Sequence, residues 1–266
     1  MKLILKAKLL LLLIVTVFYA NAQFKWPTGA KVAVCLTYDD ALDGHLDIAI
    51  PQLDAAGLKG TFFCTGNSPT LYHRMEEWRK AARSGHELGN HTLFHPCLGT
   101  SYDGKKLDWV KPEYDLQNYN LSQIMNELRT ANTLLKAIDG NEKRTYAYTC
   151  GNNTAGGVPF TDSLVNLFTA ARGGSSMPQT MKGYDVYNAP STIVIDNTAE
   201  EMIASINKAM EYGTIAIFMF HSVGGGYLNV DAEEHRKLLE YISKNRKNIY
   251  CGTFMEVMDY VKKNNQ

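Results

Sequence analysis

The stretch Lys31-Val32-Ala33-Val34-Cys35-Leu36-Thr37-Tyr38-Asp39-Asp40 is an almost unbroken apolar run that ends on two adjacent carboxylates. Such a run reads as a strand buried on both faces, and strands of that kind belong to parallel sheets covered by helices. Outward from it the chain keeps alternating. A helix-like stretch over 46–56 is punctuated by Gly57 and Gly60, and Thr61-Phe62-Phe63-Cys64 is the next strand. A helix follows over 70–83, then a short strand that includes Glu87 and Leu88. The segment 96–118 is irregular, the length of a loop over a site or a surface excursion. Apolar spacing predicts a helix over 121–137 and a short strand over 146–148.

The second half repeats the pattern. A helix near 162–167 leads to a strand around 167–171, and 173–190 has no periodicity. Helices are expected over 199–210, 231–244 and 254–262, with strands over 214–220 and 249–251. Asp231 is a plausible cap, with Glu234 three residues later. About seven strand–helix units without a linker point to one α/β domain, a distorted (β/α) barrel of about seven parallel strands, with an open doubly wound sheet as the structural alternative. No glycine-rich phosphate loop follows a strand, so nucleotide binding has no support.

The chain has 266 residues, 45% hydrophobic and 20% charged, with 27 basic and 27 acidic side chains. A zero net charge argues against nucleic acid as a partner. Residues 1–22 are set apart: Lys2, Lys6 and Lys8 precede and enter an apolar run from Leu9 to Tyr19, and Ala20-Asn21-Ala22 closes it. This is a secretory signal peptide pattern, too short for a stable membrane anchor. Cleavage after Ala22 leaves a domain over 23–266 with a charge of −3 and a secreted or periplasmic, bacterial character. Five cysteines remain, none in a CxxC spacing. One disulfide fits an oxidising compartment, and the spacing does not say which. Cys35, Cys64 and Cys251 lie in apolar runs, where a thiol packs as a small hydrophobe.

Three polar clusters fall at carboxyl ends of strands, which meet on one face of a barrel. In the first, Asp39 and Asp40 are costly unless partnered; one can bind a metal while the other takes a proton, and helix capping is the plain alternative. In the second, His91-Thr92-Leu93-Phe94-His95 spaces two imidazoles by four, which on a helical turn would share a face. Two histidines and a carboxylate suit a zinc-like ion with an open position. In the third, His221 ends the apolar run 215–220 and enters Ser222-Val223-Gly224-Gly225-Gly226. Its imidazole suits general-acid work, and a core histidine bonded to backbone is the alternative. His45 is a weaker candidate to face the same site.

Together these residues resemble the polysaccharide deacetylase family, carbohydrate esterase family 4 or the NodB-homology domain, over about 31–262. Thr37-Tyr38-Asp39-Asp40 matches T-[FY]-D-D, His91 to His95 matches H-[ST]-x-x-H, Gly85 to Asn90 matches the approach to it, and Met219-Phe220-His221 matches [LI]-x-H. The resemblance implies a NodB-like barrel with Asp39 as catalytic base, Asp40, His91 and His95 as ligands of one divalent ion, and His221 as general acid. Zinc is the first expectation for that ion, with cobalt or nickel able to substitute. The implied substrate is an acetylated polysaccharide or oligosaccharide, most simply an N-acetylated one. An O-acetyl esterase on acetylated xylan-like chains, and a catalytically weak secreted carbohydrate-binding protein, are the alternatives.

Two parts depart. The family's R-x-P-[YF]-G corresponds to Ala147-Tyr148-Thr149-Cys150-Gly151, which puts Ala147 at the arginine and the backbone N–H of Cys150 at the oxyanion donor. Arg144 and Arg172 are candidates to replace that arginine by strand position. The family's Asp-Trp element has no clear match; Asp185 and Asp196 lie in its region. Tyr102, Trp109 and Tyr114 in the long loop could stack on sugar faces or simply pack the loop, and Gly224 to Gly226 with Tyr227 form a candidate rim loop.

Overall fold

The structure is a computed structural model that describes residues 24–264 apart from Tyr102 and Ser175. The leader at 1–22 and Tyr102 therefore lie outside the described residues.

The quoted run is β1, Val32–Asp39, buried along its whole length. In chain order it is followed by α1 (Ile50–Ala55), β2 (Thr61–Cys64), α2 (Pro69–His73), α3 (Met75–Arg83), β3 (Glu87–Asn90), α4 (Leu121–Asp139) and β4 (Thr145–Ala147). A small hairpin of β5 (Thr154–Ala155) and β6 (Val158–Pro159) comes next, then β7 (Ala170–Gly173), β8 (Ala189–Pro190) and β9 (Thr192–Ile193). The chain ends with α5 (Ala199–Tyr212), β10 (Ile215–Phe220), α6 (Ala232–Lys244), β11 (Ile249–Cys251) and α7 (Phe254–Asn264).

The strands pair in the order β8-β7-β4-β3-β2-β1-β10-β9, all in parallel. The two ends of that order are one piece of chain. β8 pairs with β7, β9 pairs with β10, and only Ser191 separates them. One extended segment thus closes the ring, so the sheet is the expected distorted (β/α) barrel and not an open doubly wound sheet. β11 adds to the amino-terminal half of β1, pairing Val32 to Val34.

Strand side chains alternate between two faces, and the core divides accordingly. Val32, Val34, Leu36 and Tyr38 face the helices, packing with Leu53, Trp78, Ile206 and Leu238. Ala33 and Cys35 face the barrel interior with Phe63, Ala147, Ala170, Ile215, Ile217 and Phe254. A third cluster, Ile124, Leu128, Tyr146 and Phe168 among it, seats α4 on the outside of β4 and β7. Outside the barrel the Tyr38 ring is stacked between Phe62 at 4.8 Å and Phe220 at 5.1 Å, which ties three neighbouring strands.

Some boundaries differ from expectation. The predicted helix over 70–83 is two helices, α2 and α3, broken at Arg74 (φ −124°, ψ 29°). Asp43, Asp47 and Glu77 all accept hydrogen bonds from its guanidinium, so the chain turns there. The helix near 162–167 is a 3-10 turn over Thr161–Asn166, and β7 begins only at Ala170. Asp231 does cap α6, accepting from the backbone N–H of Glu233 and Glu234. Glu234 does not close a box with it: its carboxylate accepts from Ala199 N–H and joins the start of α5 to α6. Among the described residues no helix is long and apolar enough to cross a membrane.

Candidate active site

The alternation that fills the barrel also delivers its polar groups. In β1 the interior positions 33, 35 and 37 lead to Asp39, and the chain then kinks at Asp40 (φ 79°) so that the second carboxylate also turns toward the mouth. Asp39, Asp40, His91, His95, Arg172 and His221 line one cleft of about 1150 Å³.

His91 and His95 converge, but not on a helix. The segment after β3 is an irregular turn with Thr92 at φ 65° and His95 at φ 54°, held by the His95 N–H on Thr92 Oγ1 at 2.9 Å. Four-residue spacing therefore came with a different geometry from the helical one expected. His91 Nδ1 donates to the Ala147 carbonyl at 2.8 Å, which fixes its tautomer and leaves Nε2 as the free lone pair. The Nε2 atoms of His91 and His95 stand 3.5 and 3.4 Å from Asp40 Oδ1.

That oxygen is buried and accepts no hydrogen bond, an uncompensated cost for a carboxylate. The ligand atoms of Asp40, His91 and His95 lie within 4.8 Å of one another. An unpartnered carboxylate oxygen between two imidazole nitrogens suits a divalent cation, so the three residues fit the expected ion. Burial works against the Asp40 charge, but His91, His95, the Tyr227 hydroxyl and His221 outweigh it and hold the carboxyl pKa below its usual value. Burial, helped by His91, lowers the His95 pKa, which favours the neutral ligand form.

Asp39 is nearly fully buried, and Arg172 Nη2 donates to its Oδ2. Arg172 is one of the two arginines expected near this point. It lies over the Phe63 ring at 5.1 Å, and its Nη1 reaches Ser191 Oγ at 3.3 Å. Arg144 is excluded from the site, because it faces the other way and binds Asp139 and the Leu88 carbonyl.

His221 follows β10 with Nε2 4.0 Å from Asp40 Oδ2. Its Nδ1 is buried without a hydrogen-bond partner. Asp185 and Asp196 are exposed and do not reach it; Asp185 instead accepts from the Tyr187 N–H. His45 does not face the cleft. It is fully buried beneath it, accepting from Leu42 N–H at Nδ1 and donating from Nε2 to the His221 carbonyl at 2.7 Å.

Cys150 borders the cleft at φ 53° and is bonded to Cys97 in a disulfide, which resolves the open pairing. Cys97 Sγ lies 3.5 Å from His95 Nδ1, so the bridge joins the His95 turn to the Cys150 loop. Cys35, Cys64 and Cys251 are free, the first two buried in their strands. In the long loop, Trp109 is 61% exposed and lines the cleft, whereas Tyr114 stacks on Phe94 at 5.3 Å.

Tyr227 is the residue whose part the sequence did not disclose beyond its place in a rim loop. Its hydroxyl donates to Asp40 Oδ2, and its ring lies 5.8 Å from that of His221. Burial and the Asp40 charge raise the phenol pKa, so it remains a donor.

Residues 27–158 match the family model described as polysaccharide deacetylase. The chain belongs to that family. The fold agrees along the whole domain of this deacetylase-family chain. A family 4 carbohydrate esterase from Bacillus subtilis superposes with a TM-score of 0.53 at 16% identity, covering 89% of this chain and 84% of that one. The Xyl-CE4 domain of a multidomain xylanase from the hindgut metagenome of Trinervitermes trinervoides gives 0.53 at 16% identity, covering 88% and 93%. At these identities the likeness is one of fold. A gellan lyase of a Bacillus species is 25% identical over 175 residues, 66% of this chain. The chain spans only about 6% of that curated relative's length.

Proposed function

We propose that the protein is an exported, metal-dependent hydrolase that removes acetyl groups from a saccharide, with N-acetylated polysaccharide or oligosaccharide as its substrate. The observation that carries this is the pairing of two unlike carboxylates on one cleft: Asp39 held by an arginine, and Asp40 set between two imidazoles.

Asp40, His91 and His95 hold the ion, zinc by ligand type, with cobalt or nickel as substitutes. When bound, it supplies Lewis-acid polarisation to the acetyl carbonyl and to the attacking water. Asp39 takes the proton of that water. Arg172 orients Asp39 and offsets the cost of burying it, by donating to its Oδ2. The backbone N–H of Cys150 faces the developing oxyanion, in a loop whose conformation the disulfide fixes. His221 protonates the leaving nitrogen or oxygen. Trp109 offers an exposed ring at the cleft edge for a pyranose face.

Acetate release from N-acetylglucosamine oligomers and from acetylated xylan, with and without chelator, tests the reading and separates amide from ester substrates. Release from xylan alone would make the protein an O-acetyl esterase. Sugar binding without chelator-sensitive release would make it a binding protein. Asp39→Asn should cut turnover by about 10²–10⁴-fold while sparing bound metal. Export is supported by the Cys97–Cys150 bridge, since disulfides persist in oxidising compartments. Amino-terminal sequencing of the exported protein should begin at Gln23.

A further inference from the structure

Asp40 presents two oxygens in different settings. Oδ1 is buried, unpartnered and flanked by the two imidazole nitrogens, whereas Oδ2 is taken by the Tyr227 hydroxyl. Tyr227 arrives from a loop built to deliver it. Gly224, Gly225 and Gly226 have φ of 81°, 139° and 117°, which only glycine adopts without strain. A Cβ on Gly226 would come within 2.5 Å of Ser222 Oγ, and one on Gly224 within 2.5 Å of Ile48 Cδ1. The loop ends are cross-tied: Gly224 N–H to the Val230 carbonyl, Val230 N–H to the Ser222 carbonyl, and Gly225 N–H to Asn229 Oδ1.

We propose that Tyr227 is a positioning residue for the metal: by occupying Oδ2 it orients Asp40 and restricts it to one-oxygen ligation through Oδ1. This rests on the ligand set of the proposed hydrolase. Hydrogen-bonded partners of a ligating carboxylate set both its direction and its donor strength, and their loss weakens metal binding by about 10–100-fold. The same contact lays the Tyr227 ring against His221, so the loop also fixes the distance between the candidate metal ligand and the candidate acid.

The test is Zn²⁺ affinity of the metal-stripped full chain, measured against a chromophoric chelator, for the wild type, Tyr227→Phe and Tyr227→Leu. Tyr227→Phe keeps the ring and removes the hydroxyl. It should bind one ion about 10–100-fold more weakly, while the metal-free chain still unfolds in one cooperative transition. Its Co²⁺ form should absorb more weakly in the visible, because a freed Oδ2 raises the coordination number. Wild-type affinity in Tyr227→Phe overturns the inference, including the case where Tyr227→Leu alone is weakened, since only the ring would then matter. A wild-type chain that binds no Zn²⁺ overturns the ligand set itself, and this inference with it.

Discussion

Arg172 lies in register with Ala147 on the neighbouring strand, and its guanidinium lies over the Phe63 ring and reaches Asp39. The arginine missing from the motif is thus supplied one strand away. Arg172→Ala should leave the Asp39 charge buried and unpaired, costing about 3–5 kcal/mol. Urea unfolding would register this, and acetate release should fall with it. Arg172→Lys should recover little of either, because a lysine cannot reach Asp39 and Ser191 together. Full activity in Arg172→Ala would remove the arginine from the site.

The disulfide closes a loop spanning 53 residues, which by chain entropy contributes about 4 kcal/mol. Because Cys97 Sγ touches the His95 ring, the bridge also holds a proposed ligand. Cys97→Ala/Cys150→Ala should therefore lower the unfolding free energy and weaken Zn²⁺ binding together. A variant that loses stability but keeps wild-type metal affinity would confine the bridge to a structural role.

His235 is fully buried, donating from Nδ1 to Gln52 Oε1 and accepting from the Tyr38 hydroxyl at Nε2. Burial lowers its pKa to about 3, and that of His45 to about 4. Below the ordinary histidine value the unfolded chain takes up a proton that the native state refuses, so stability falls as pH falls from about 6.5 toward those values. Glu87 and Glu127, whose pKa values burial raises, bind protons first in the native state and oppose the trend. The difference between wild type and His235→Gln isolates one residue. It should amount to about 1.4 kcal/mol per unit between pH 6 and 5, read from urea midpoints. Parallel pH curves would contradict it.

Trp109 stands 61% exposed on the cleft edge, where it adds little to the core. Trp109→Ala should leave the unfolding midpoint within about 0.5 kcal/mol of wild type. It should raise KM for oligomers more than for a monomeric acetylated sugar, with kcat nearly unchanged. A large stability loss would reassign the ring to packing the loop.

Long apolar runs such as Val32–Asp39 and Ile215–Phe220 announced their strands, because burial on both faces leaves no room for polar alternation. Asp39, Asp40 and His221 were legible because each ends or follows such a strand, and His91 and His95 by their four-residue spacing. Arg172 was legible as a candidate only, since which strand faces which is a matter of register, not of spacing. The His91–His95 turn was misread as helical because positive φ at Thr92 and His95 has no sequence mark in a residue other than glycine. Tyr227 was hidden for a related reason: three successive glycines announce a loop without saying where its next side chain will land.

The ring closes through Ser191, which sits between β8 and β9, accepts from Arg172 and donates to the Gly173 carbonyl at 3.4 Å. The last stitch of the barrel is therefore also the brace of the arginine that holds Asp39. A chain that has folded everything except this seam would lack the Ser191 contact of the arginine that holds Asp39. Closure of the barrel and the seating of Arg172 on Asp39 thus pass through one small side chain.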